Sequence, residues 1–548
     1  MTAAETPEPI RLARRQSIAD TLRRSARRHP DRPAILEGDT RWSYAEFDRL
    51  TDRLARGLRD SGLGRGDRVA ILSRNSAAFA LTRYAVARAG LVLVPINFML
   101  NAAEVRFILE SSGARALACG PDLAALAAEA AAGTSVERLI ALEGWPESPE
   151  SSPESPKSAP SGAEKFVNTP LAELLSDDET PLEIALSERD LAQIVYTSGT
   201  ESLPKGAMLD HGAVLWEYVT CIVDAGLSAE DVMLHALPLY HCAQLDAFLG
   251  PAIMLGMTNV ITAQPAPGTL LPLLERHAIT AFFAPPTVWI ALLRAPEFDR
   301  TDLSALRKGW YGASIMPVEV LKELARRLPD VRLWNLYGQT EIAPVATALQ
   351  PGDQLRKPGS AGRPALNVET RVVDDAMQDV AAGEIGEIVH RSPQLLSGYW
   401  NDPERTAEAF AGGWFHSGDL ATVDAEGFIT VVDRKKDMIK TGGENVSSRE
   451  VEECIHLLDG VSEVAVIGLP HEKWIETVAA VVVPKAGVSL DPEAIIAHCR
   501  ESLAHYKAPT RVLLAESLPK NPSGKILKRD LRALHGGDPA HLPGAAAE

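Results

Sequence analysis

The sequence is poor in aromatic residues, in cysteine and in long apolar runs. Only 5% of its 548 residues are aromatic. Its five cysteines are far apart, odd in number and without a CxxC pair. This predicts neither a disulfide framework nor a zinc site, and it favours a cytoplasmic location. We expect no membrane span, because no uncharged apolar run reaches the roughly 18 residues that a spanning helix needs.

Positive charge is also scarce, since the formal net charge is -18. Nucleic acids and anionic membranes bind to surfaces with clustered Lys and Arg. We therefore expect no nucleic-acid partner and small soluble ligands instead. The one basic stretch is "RLARRQSIADTLRRSARRHPDRPA", in which Ile18, Leu22 and Ala26 recur at helical spacing. We interpret it as a first helix that lies mostly in solvent.

Helix-like stretches alternate with short Val, Ile and Leu runs such as "RVAILS" and "LVLVPI", the pattern of an α/β fold. The segment 146–165 is rich in Pro, Ser and Glu and is predicted to be a disordered insertion. Glycine-punctuated runs from Gly383 to Val432 predict β-hairpins.

A new series of elements follows: a helix at "SSREVEECIHLL", strands at "VSEVAVIGLP" and "TVAAVVVPK", and a helix at "PEAIIAHCRESL". These elements predict an independent second domain. We therefore expect an N-terminal domain over 1–433, a hinge at 434–436, a C-terminal domain over 437–535 and a disordered tail at 536–548.

The stretch "IVYTSGTESLPKG", Ile194 to Gly206, has the form of a phosphate cradle: a strand, a Gly-rich turn rich in hydroxyls, and a lysine. It is not a Walker A loop, because the second glycine and the terminal Ser or Thr of that motif are missing. Taken alone, such a loop can equally be an ordinary turn.

The loop resembles the phosphate-binding signature of the adenylate-forming (ANL) superfamily, which contains acyl-CoA synthetases, peptide-synthetase adenylation domains and luciferases. Further motifs of that superfamily follow in the same order, and the resemblance covers about Ser17 to Arg532. They are "LPLYH" (237–241), "YGAS" (311–314), "YGQTE" (337–341), "GEIGEI" (383–388), "HSGDL" (416–420), "DRKKDMIKTGGENV" (433–446) and "PKNPSGKILKRDLR" (519–532).

The resemblance implies a large N-terminal domain of α/β sheets with a β-barrel-like subdomain, and a small mobile α+β C-terminal domain. It also implies nucleotide contacts for the phosphates, the adenine and the ribose, with Glu341 and Thr200 binding Mg²⁺. The implied nucleotide-binding residues are Thr197, Ser198, Gly199, Thr200, Lys205, Gly312, Ala313, Ser314, Asn335, Tyr337, Gly338, Thr340, Asp419, Val431, Arg434 and Lys525.

Catalytic roles are implied for Lys525, which in the family bridges the carboxylate and the α-phosphate, and for His241, Thr200, Glu341 and Lys440. The resemblance further implies that Lys436 is the hinge residue about which the C-terminal domain rotates between the two half-reactions. The implied acyl pocket consists of His241, Cys242, Asp246, Phe282, Tyr311 and Gly312, and the implied CoA channel of Gly442, Gly443 and Glu444.

Two pocket residues have ordinary alternatives. His241 could be a core histidine with satisfied hydrogen bonds. Asp246 could face an amine or hydroxyl of the substrate, but a place on the solvent side of a helix is the more common one for an aspartate, and we favour it.

The implied activity is an ATP-dependent acid–CoA ligase that adenylates an aliphatic medium- or long-chain acid or an aryl acid and releases AMP and pyrophosphate. Because no carrier-attachment domain follows Arg532, we expect a stand-alone enzyme that uses free CoA; a homodimer is one candidate for its assembly. The alternatives are a ligase that forms amides or activates nitrous acid, and a nucleotide sensor without turnover. Glu201 departs from the family pattern, and we expect its carboxylate to avoid direct contact with the phosphates.

Overall fold

The computed structural model describes residues 7–142, 167–197, 204–312, 314, 316–441, 444–471, 474–520 and 526–536. The described residues form two compact units. The first unit takes those up to 197, 204–370 and 390–415, and the second takes 371–389 and those from 416 onward. The predicted insertion at 146–165 and all but the first residue of the predicted tail lie outside the described residues.

The described residues of the two units include twenty-six strands, numbered here in chain order. They are β1 Pro33–Glu37, β2 Thr40–Ser43, β3 Arg68–Leu72, β4 Val92–Ile96, β5 Ala116–Cys119, β6 Arg138–Ala141, β7 Val167–Pro170, β8 Leu191–Thr197, β9 Lys205–Asp210, β10 Val232–His235, β11 Thr258–Ile261, β12 Ala281–Phe283, β13 Lys308–Gly312, β14 Arg332–Gly338, β15 Val345–Leu349, β16 Arg363–Pro364, β17 Glu369–Val373, β18 Gly386–Arg391, β19 Gly398–Tyr399, β20 Phe415–Val423, β21 Ile429–Arg434, β22 Ile439–Thr441, β23 Glu444–Val446, β24 Val461–His471, β25 Ile475–Pro484 and β26 Arg511–Leu514.

The helices alternate with these strands, as the sequence pattern predicts. They are α1 Glu8–Ala13, α2 Ile18–Arg28, α3 Tyr44–Asp60, α4 Ala77–Arg88, α5 Ala102–Ser112, α6 Ala124–Ala131, α7 His211–Asp224, α8 Cys242–Gln244, α9 Gly250–Leu255, α10 Pro267–Arg276, α11 Pro286–Arg294, α12 Val318–Arg327, α13 Pro403–Ala409, α14 Ser448–His456, α15 Pro492–Ser502 and α16 Lys528–His535, with a π-helical turn at Leu245–Leu249 and a 3₁₀ turn at Thr340–Ile342.

The first unit contains two large sheets. One has the strand order β16-β15-β14-β13-β12-β10-β11-β1-β2, and its strands from β14 to β1 are parallel. The other has the order β19-β9-β8-β4-β3-β5-β6-β7. Strands such as β4 are buried at every position, as expected where helices cover both faces of a parallel sheet. The expected α/β architecture is confirmed.

The second unit contains a sheet of order β17-β18-β20-β21 and a further sheet in which β24 and β25 form a long antiparallel pair. The helices predicted near residues 448 and 492 are present as α14 and α15. The sheet of β17, β18, β20 and β21 is the counterpart of the expected barrel-like subdomain, and its described strands form an open path rather than a closed barrel. The domain boundary at 434–436 stays a prediction.

The first helix of the basic stretch is not solvated as expected. Helix α2 buries its Ile18, Leu22 and Ala26 stripe, but it also buries Arg23, whose guanidinium pairs with Asp52 at 2.9 Å. The helical spacing predicted the apolar stripe correctly. The ion pair cannot be read from that spacing, because its two partners lie 29 positions apart in the chain.

Among the helices of the described residues, none is both long enough and apolar enough to cross a membrane.

Three histidines of the first unit are buried as neutral imidazoles. Burial lowers the pKa of His211, His235 and His390 from 6.5 to about 4. Around His235 the hydrogen bonds fix the neutral form, since Nδ1 accepts from the Gln244 amide at 2.7 Å while Nε2 donates to Asn259 Oδ1 at 2.9 Å.

We predict that the free energy of unfolding of the first unit decreases as the pH falls from 6.5 toward 4. In this range the three histidines bind protons in the unfolded chain, where their pKa is near 6.5, but not in the folded chain, where their pKa is about 4. In His235→Gln, the slope of unfolding free energy against pH should fall in this window by up to about 1.4 kcal/mol per pH unit. Denaturant unfolding at several pH values measures the slope. The exposed His456→Gln is the control and should follow wild type; a His235→Gln curve parallel to wild type would contradict the prediction.

Candidate functional site

Several of the predicted site residues follow the carboxyl ends of parallel strands in the nine-stranded sheet. Strands β10, β12, β13 and β14 are parallel, so their carboxyl ends lie along one edge. Segment 237–241 follows β10, segment 311–314 includes the end of β13, and segment 337–341 includes the end of β14. The fold therefore brings these motifs to the sheet edge at which open α/β proteins bind ligands.

Two glycines at this edge are required by close backbone approach. A Cβ on Gly312 would lie 2.5 Å from the Leu336 carbonyl oxygen, and a Cβ on Gly338 would lie 1.8 Å from the Pro344 carbonyl oxygen. Both clashes are with backbone, which cannot swing away as a flexible side chain can. Glycine is therefore a structural requirement at both positions of this edge, and the predicted adenine contact at Gly312 stays a prediction. Ser314, in the same motif, is exposed.

The segment "LPLYH" is held by a residue that the sequence reasoning missed. Asn75 donates from Nδ2 to the Leu237 carbonyl at 2.7 Å and accepts the Leu239 backbone N–H at 2.7 Å. The same Nδ2 donates to the Thr262 carbonyl at 3.1 Å. Asn75 thus fixes the backbone that leads to His241. No sequence signal marks this role, since the partners lie more than 160 positions away.

His241 lies at the N-cap of helix α8. Its side chain is accessible to solvent, yet protein atoms surround it closely enough for burial to lower its pKa. Its Nδ1 accepts the backbone N–H of Ala243 at 3.1 Å, which sets the ring orientation. Because the residue is exposed, it is not a core histidine.

Cys242, a residue of the predicted acyl pocket, contacts Thr340 of the predicted nucleotide-binding motif. Its thiol is buried and lies 3.4 Å from Thr340 Oγ1. Burial raises the pKa of the Cys242 thiol well above its usual range, so the thiol is neutral and unsuited to act as a nucleophile. A carboxyl group bound at this wall would lie beside Thr340.

Lys205 and Glu341 are brought together in the first unit. The Lys205 ammonium lies 3.8 Å from Glu341 Oε1, although β9 and the 3₁₀ turn after β14 belong to different sheets. Thr197 lies opposite Lys205 in the antiparallel β8 and β9 pair. Tyr399, which the sequence reasoning did not identify, contacts both charged groups: its hydroxyl is 3.0 Å from Lys205 Nζ and 3.0 Å from Glu341 Oε1.

Other predicted residues are engaged in packing or in internal hydrogen bonds. Phe282 is fully buried and packs edge to face on Trp289 at a centroid distance of 5.3 Å. The Tyr311 hydroxyl donates to Gln354 Oε1 at 2.6 Å, and Asn335 Nδ2 donates to the Ser360 carbonyl at 2.9 Å. The predicted ligand contacts of these residues stay predictions.

Our expectation that Asp246 faces solvent is wrong. Its carboxylate is fully buried in the π-helical turn that follows α8. It accepts from Arg83 at 3.1 Å and from Gln193 Nε2 at 2.7 Å. The pairing partner lies 163 positions away, so an aspartate in an apolar run could not be recognised from sequence as half of a buried ion pair.

In the second unit, Asp419 and Arg434 lie opposite each other in the β20 and β21 hairpin. Arg434 Nε lies 3.2 Å from Asp419 Oδ1, and the Asp419 side chain is almost fully buried while that of Arg434 is 42% exposed. Val431 lies in β21, opposite Ala421. A carboxylate with two acceptor oxygens beside an exposed guanidinium suits a ribose diol.

The predicted hinge and the described part of the predicted CoA channel also lie in the second unit. Lys436 and Lys440 are exposed, and Lys440 pairs with Asn445 in the β22 and β23 hairpin while Thr441 pairs with Glu444. Across the predicted hinge, Asp433 accepts from the backbone N–H and the hydroxyl of Ser448, both at 2.7 Å. These bonds tie the end of β21 to helix α14.

Several predicted site residues lie outside the described residues, so their predicted roles stay predictions. They are Ser198, Gly199, Thr200, Ala313, Gly442, Gly443 and Lys525, together with Glu201 of the phosphate loop.

Glu341 fits a Mg²⁺ ligand that works together with a nucleotide. No group of three or more His, Cys, Asp or Glu side chains suited to a metal occurs within the described part of the chain. Mg²⁺ is commonly held by one or two carboxylates with phosphate oxygens and waters completing its shell. The single carboxylate of Glu341, beside the lysine predicted to bind phosphate, meets that requirement.

The chain is similar in sequence and in fold to known proteins over most of its length. The chain matches the family model "AMP-binding enzyme" over residues 22–400 and "AMP-binding enzyme C-terminal domain" over residues 450–525. It therefore belongs to the AMP-binding enzyme family, and the resemblance to the adenylate-forming superfamily is confirmed. Within that family, its similarity to CoA ligases confirms the expected class, an AMP-forming acid–thiol ligase.

Three similar proteins illustrate the relationship. The feruloyl-CoA synthase of an Amycolatopsis species is 37% identical over 525 residues, which cover 95% of this chain and 100% of that protein. The indoleacetate–CoA ligase of Aromatoleum aromaticum is 33% identical over 94% of this chain and 98% of that one. The structure of a Mycobacterium tuberculosis fatty acyl CoA synthetase matches with a TM-score of 0.73 at 35% identity, covering 95% and 98% of the two chains.

We predict that Gly312→Ala destabilises the first unit by about 1–3 kcal/mol and weakens AMP binding, because its Cβ meets a backbone oxygen that only a strand shift can move. Thermal unfolding and AMP titration measure the two effects. Gly268→Ala is the matched control: no atom lies within 4 Å of its Cβ, and the residue lies in helix α10, so stability should be unchanged or slightly higher. Equal behaviour of the two variants would contradict the argument.

Proposed function

We propose that the protein joins an aryl-substituted carboxylic acid to CoA at the expense of ATP, releasing AMP and pyrophosphate. The observation that carries the proposal is the contact between Cys242 and Thr340, at 3.4 Å. It supports an acid-binding wall directly beside the residue predicted to touch the α-phosphate. A carboxylate at His241 and Cys242 would then be within reach of the phosphorus atom it must attack.

In the first half-reaction, a carboxylate oxygen attacks the α-phosphorus of ATP and the bond to the β-phosphate oxygen breaks. This forms an acyl-AMP anhydride and pyrophosphate. Such chemistry depends mainly on positioning and on neutralising charge. We assign Lys205 to the phosphates that leave, and Lys525 to the charge that develops around the α-phosphate. Mg²⁺, when bound through Glu341, would add positive charge on the triphosphate.

In the second half-reaction, the CoA thiolate attacks the acyl carbon of the anhydride and AMP leaves with the bonding electron pair. We assign the ribose to Asp419 and Arg434, whose pairing is preformed in the second unit. Rotation about Lys436 between the half-reactions, with Lys440, Gly442, Gly443 and Glu444 beside the pantetheine, is part of this proposal. Such rotation has to rearrange the bonds between Asp433 and Ser448 or carry both residues together.

An aryl acid is supported by two observations. The relatives with 37% and 33% identity are named for feruloyl and indoleacetate substrates, whereas the solved structure at 35% identity is named for a fatty acyl substrate. In addition, the π-helical turn that follows α8 carries Asp246, whose buried carboxylate pairs with Arg83 of helix α4 at 3.1 Å. A long alkyl chain directed along that turn would meet desolvated charge, whereas a compact ring beside His241 would not.

The deciding experiment is acid-dependent ATP–pyrophosphate exchange, measured without CoA, over a panel of ferulate, indoleacetate, benzoate, decanoate and palmitate. We expect exchange with the aryl acids and weak exchange with the aliphatic ones. Adding CoA should give the acyl-CoA thioester with stoichiometric AMP. Glu341→Gln is the control for nucleotide-dependent background.

Three outcomes would change the proposal. Exchange only with decanoate or palmitate would replace the aryl acid with an aliphatic one. AMP release that ignores CoA and rises with an amine would replace thioester formation with amide formation. No exchange with any acid, together with AMP binding, would favour a nucleotide sensor.

We predict that Lys525→Ala lowers the rate of adenylate formation by at least about a hundredfold while sparing thioester formation from supplied acyl-AMP, because the lysine acts on charge that develops only in the first half-reaction. Exchange and single-turnover thioester assays separate the two steps. The exposed Lys485→Ala is the matched control for loss of a surface lysine. Equal losses in both half-reactions would contradict the role assigned to Lys525.

A further inference from the structure

The Tyr399 hydroxyl lies between two opposite charges. Lys205 Nζ donates to it at 3.0 Å, and it donates in turn to Glu341 Oε1 at 3.0 Å. Each bond has one charged partner, and the hydroxyl serves as acceptor toward the cation and donor toward the anion. Both of its hydrogen-bonding capacities are therefore directed at groups assigned to the triphosphate end of the nucleotide.

The Tyr399 ring adds a second contact with the lysine. Lys205 Nζ lies 4.4 Å from the ring centroid, within the range of a cation–π interaction. Tyr399 is 4% exposed and Glu341 is 6% exposed. Because water has little access here, hydrogen bonds to these charges are stronger than they would be at the surface.

The backbone around Tyr399 fixes its position from two sides. The Leu396 backbone N–H donates to the Glu341 carbonyl at 2.8 Å, which ties the segment to the 3₁₀ turn. The Trp400 backbone N–H donates to the Gly206 carbonyl at 2.8 Å, and Tyr399 pairs with Ala207 of β9. The segment 394–400 is thus bonded both to the element that carries Glu341 and to the one that carries Lys205.

Gln394 anchors the start of this segment. Its Nε2 lies 2.7 Å from Glu217 Oε2, 3.0 Å from the Ile342 carbonyl and 2.7 Å from the Val345 carbonyl. All these atoms are buried in the first unit. The segment that presents Tyr399 is therefore held at both ends and has little freedom to move away from Glu341.

We infer that Tyr399 is a positioning residue for the triphosphate end of the nucleotide site. It holds the Lys205 cation and the Glu341 carboxylate at one point, so that the phosphate-binding and metal-binding groups are already in register before nucleotide binds. The inference rests on the proposed function for the assignment of Lys205 and Glu341. It assigns to Tyr399 no contact with the acid or with the adenosine.

The test is Tyr399→Phe, which keeps the ring and removes only the bridging hydroxyl. We expect the Kd for MgATP to rise about tenfold, as for loss of hydrogen bonds to charged groups, while the Kd for AMP is unchanged because AMP has no β- or γ-phosphate. Isothermal titration without acid or CoA measures both constants and requires no turnover. The Mg²⁺ concentration that gives half-maximal exchange should rise in the same variant.

Tyr44→Phe is the matched control. Tyr44 is a fully buried residue of helix α3, and its hydroxyl donates to the Met257 carbonyl at 2.7 Å rather than to either charged group. It should bind MgATP and AMP as wild type does. A thermodynamic cycle gives a second criterion: in a Lys205→Met background, Tyr399→Phe should raise the Kd for MgATP much less than it does in wild type.

The outcomes separate this inference from the proposed function. If wild type fails to bind MgATP, the proposed function fails. If wild type binds MgATP and Tyr399→Phe binds it equally well, or loses AMP affinity to the same extent, the positioning role is overturned. Fully additive effects of the Tyr399 and Lys205 substitutions would also overturn it.

Discussion

The direction of the strands in the nine-stranded sheet determines where everything else can be. Because β10, β12, β13 and β14 are parallel, each ends at the same edge and delivers the residues that follow it to one region. The close approach of backbone atoms at that edge then restricts which residue types fit there. Gly312 and Gly338 lie against neighbouring carbonyl groups, and no larger residue fits the backbone spacing. The sheet thus leaves no room for a side chain at these two positions, and it is here that the proposed function puts the nucleotide.

The second requirement is electrostatic. In the proposed function a lysine and a glutamate face one ligand, yet they come from different parts of the fold, Lys205 from β9 and Glu341 from the turn after β14. The segment 394–400 connects the two by backbone hydrogen bonds and by the Tyr399 hydroxyl. Partnering each charge before ligand arrives reduces the cost of keeping it in a poorly hydrated place. It also limits the reorganisation needed when phosphate and metal enter.

Much of the fold and several site motifs could be predicted from the sequence, because they depend on residues that are close together in the chain. The strand and helix patterns of "RVAILS", "LVLVPI" and "SSREVEECIHLL" depend on neighbouring residues, as do the Gly-rich motifs, so they were recognisable without coordinates. The misses depend on distant partners. From the sequence alone, Asp246 is predicted to lie at the surface, because its partner Arg83 is distant in the chain. Tyr399 could not be identified either, because its contacts with Lys205 and Glu341 appear only in the structure.

If the acid lies beside Cys242 as proposed, the buried Arg83 and Asp246 pair constrains how the choice of acid can change. Removing one partner leaves the other charge buried without compensation, which costs about 3–5 kcal/mol, whereas exchanging both for well-packed apolar residues is often neutral. A change of acid that needs space at these two positions would therefore require both substitutions together, because either single substitution gives a less stable protein.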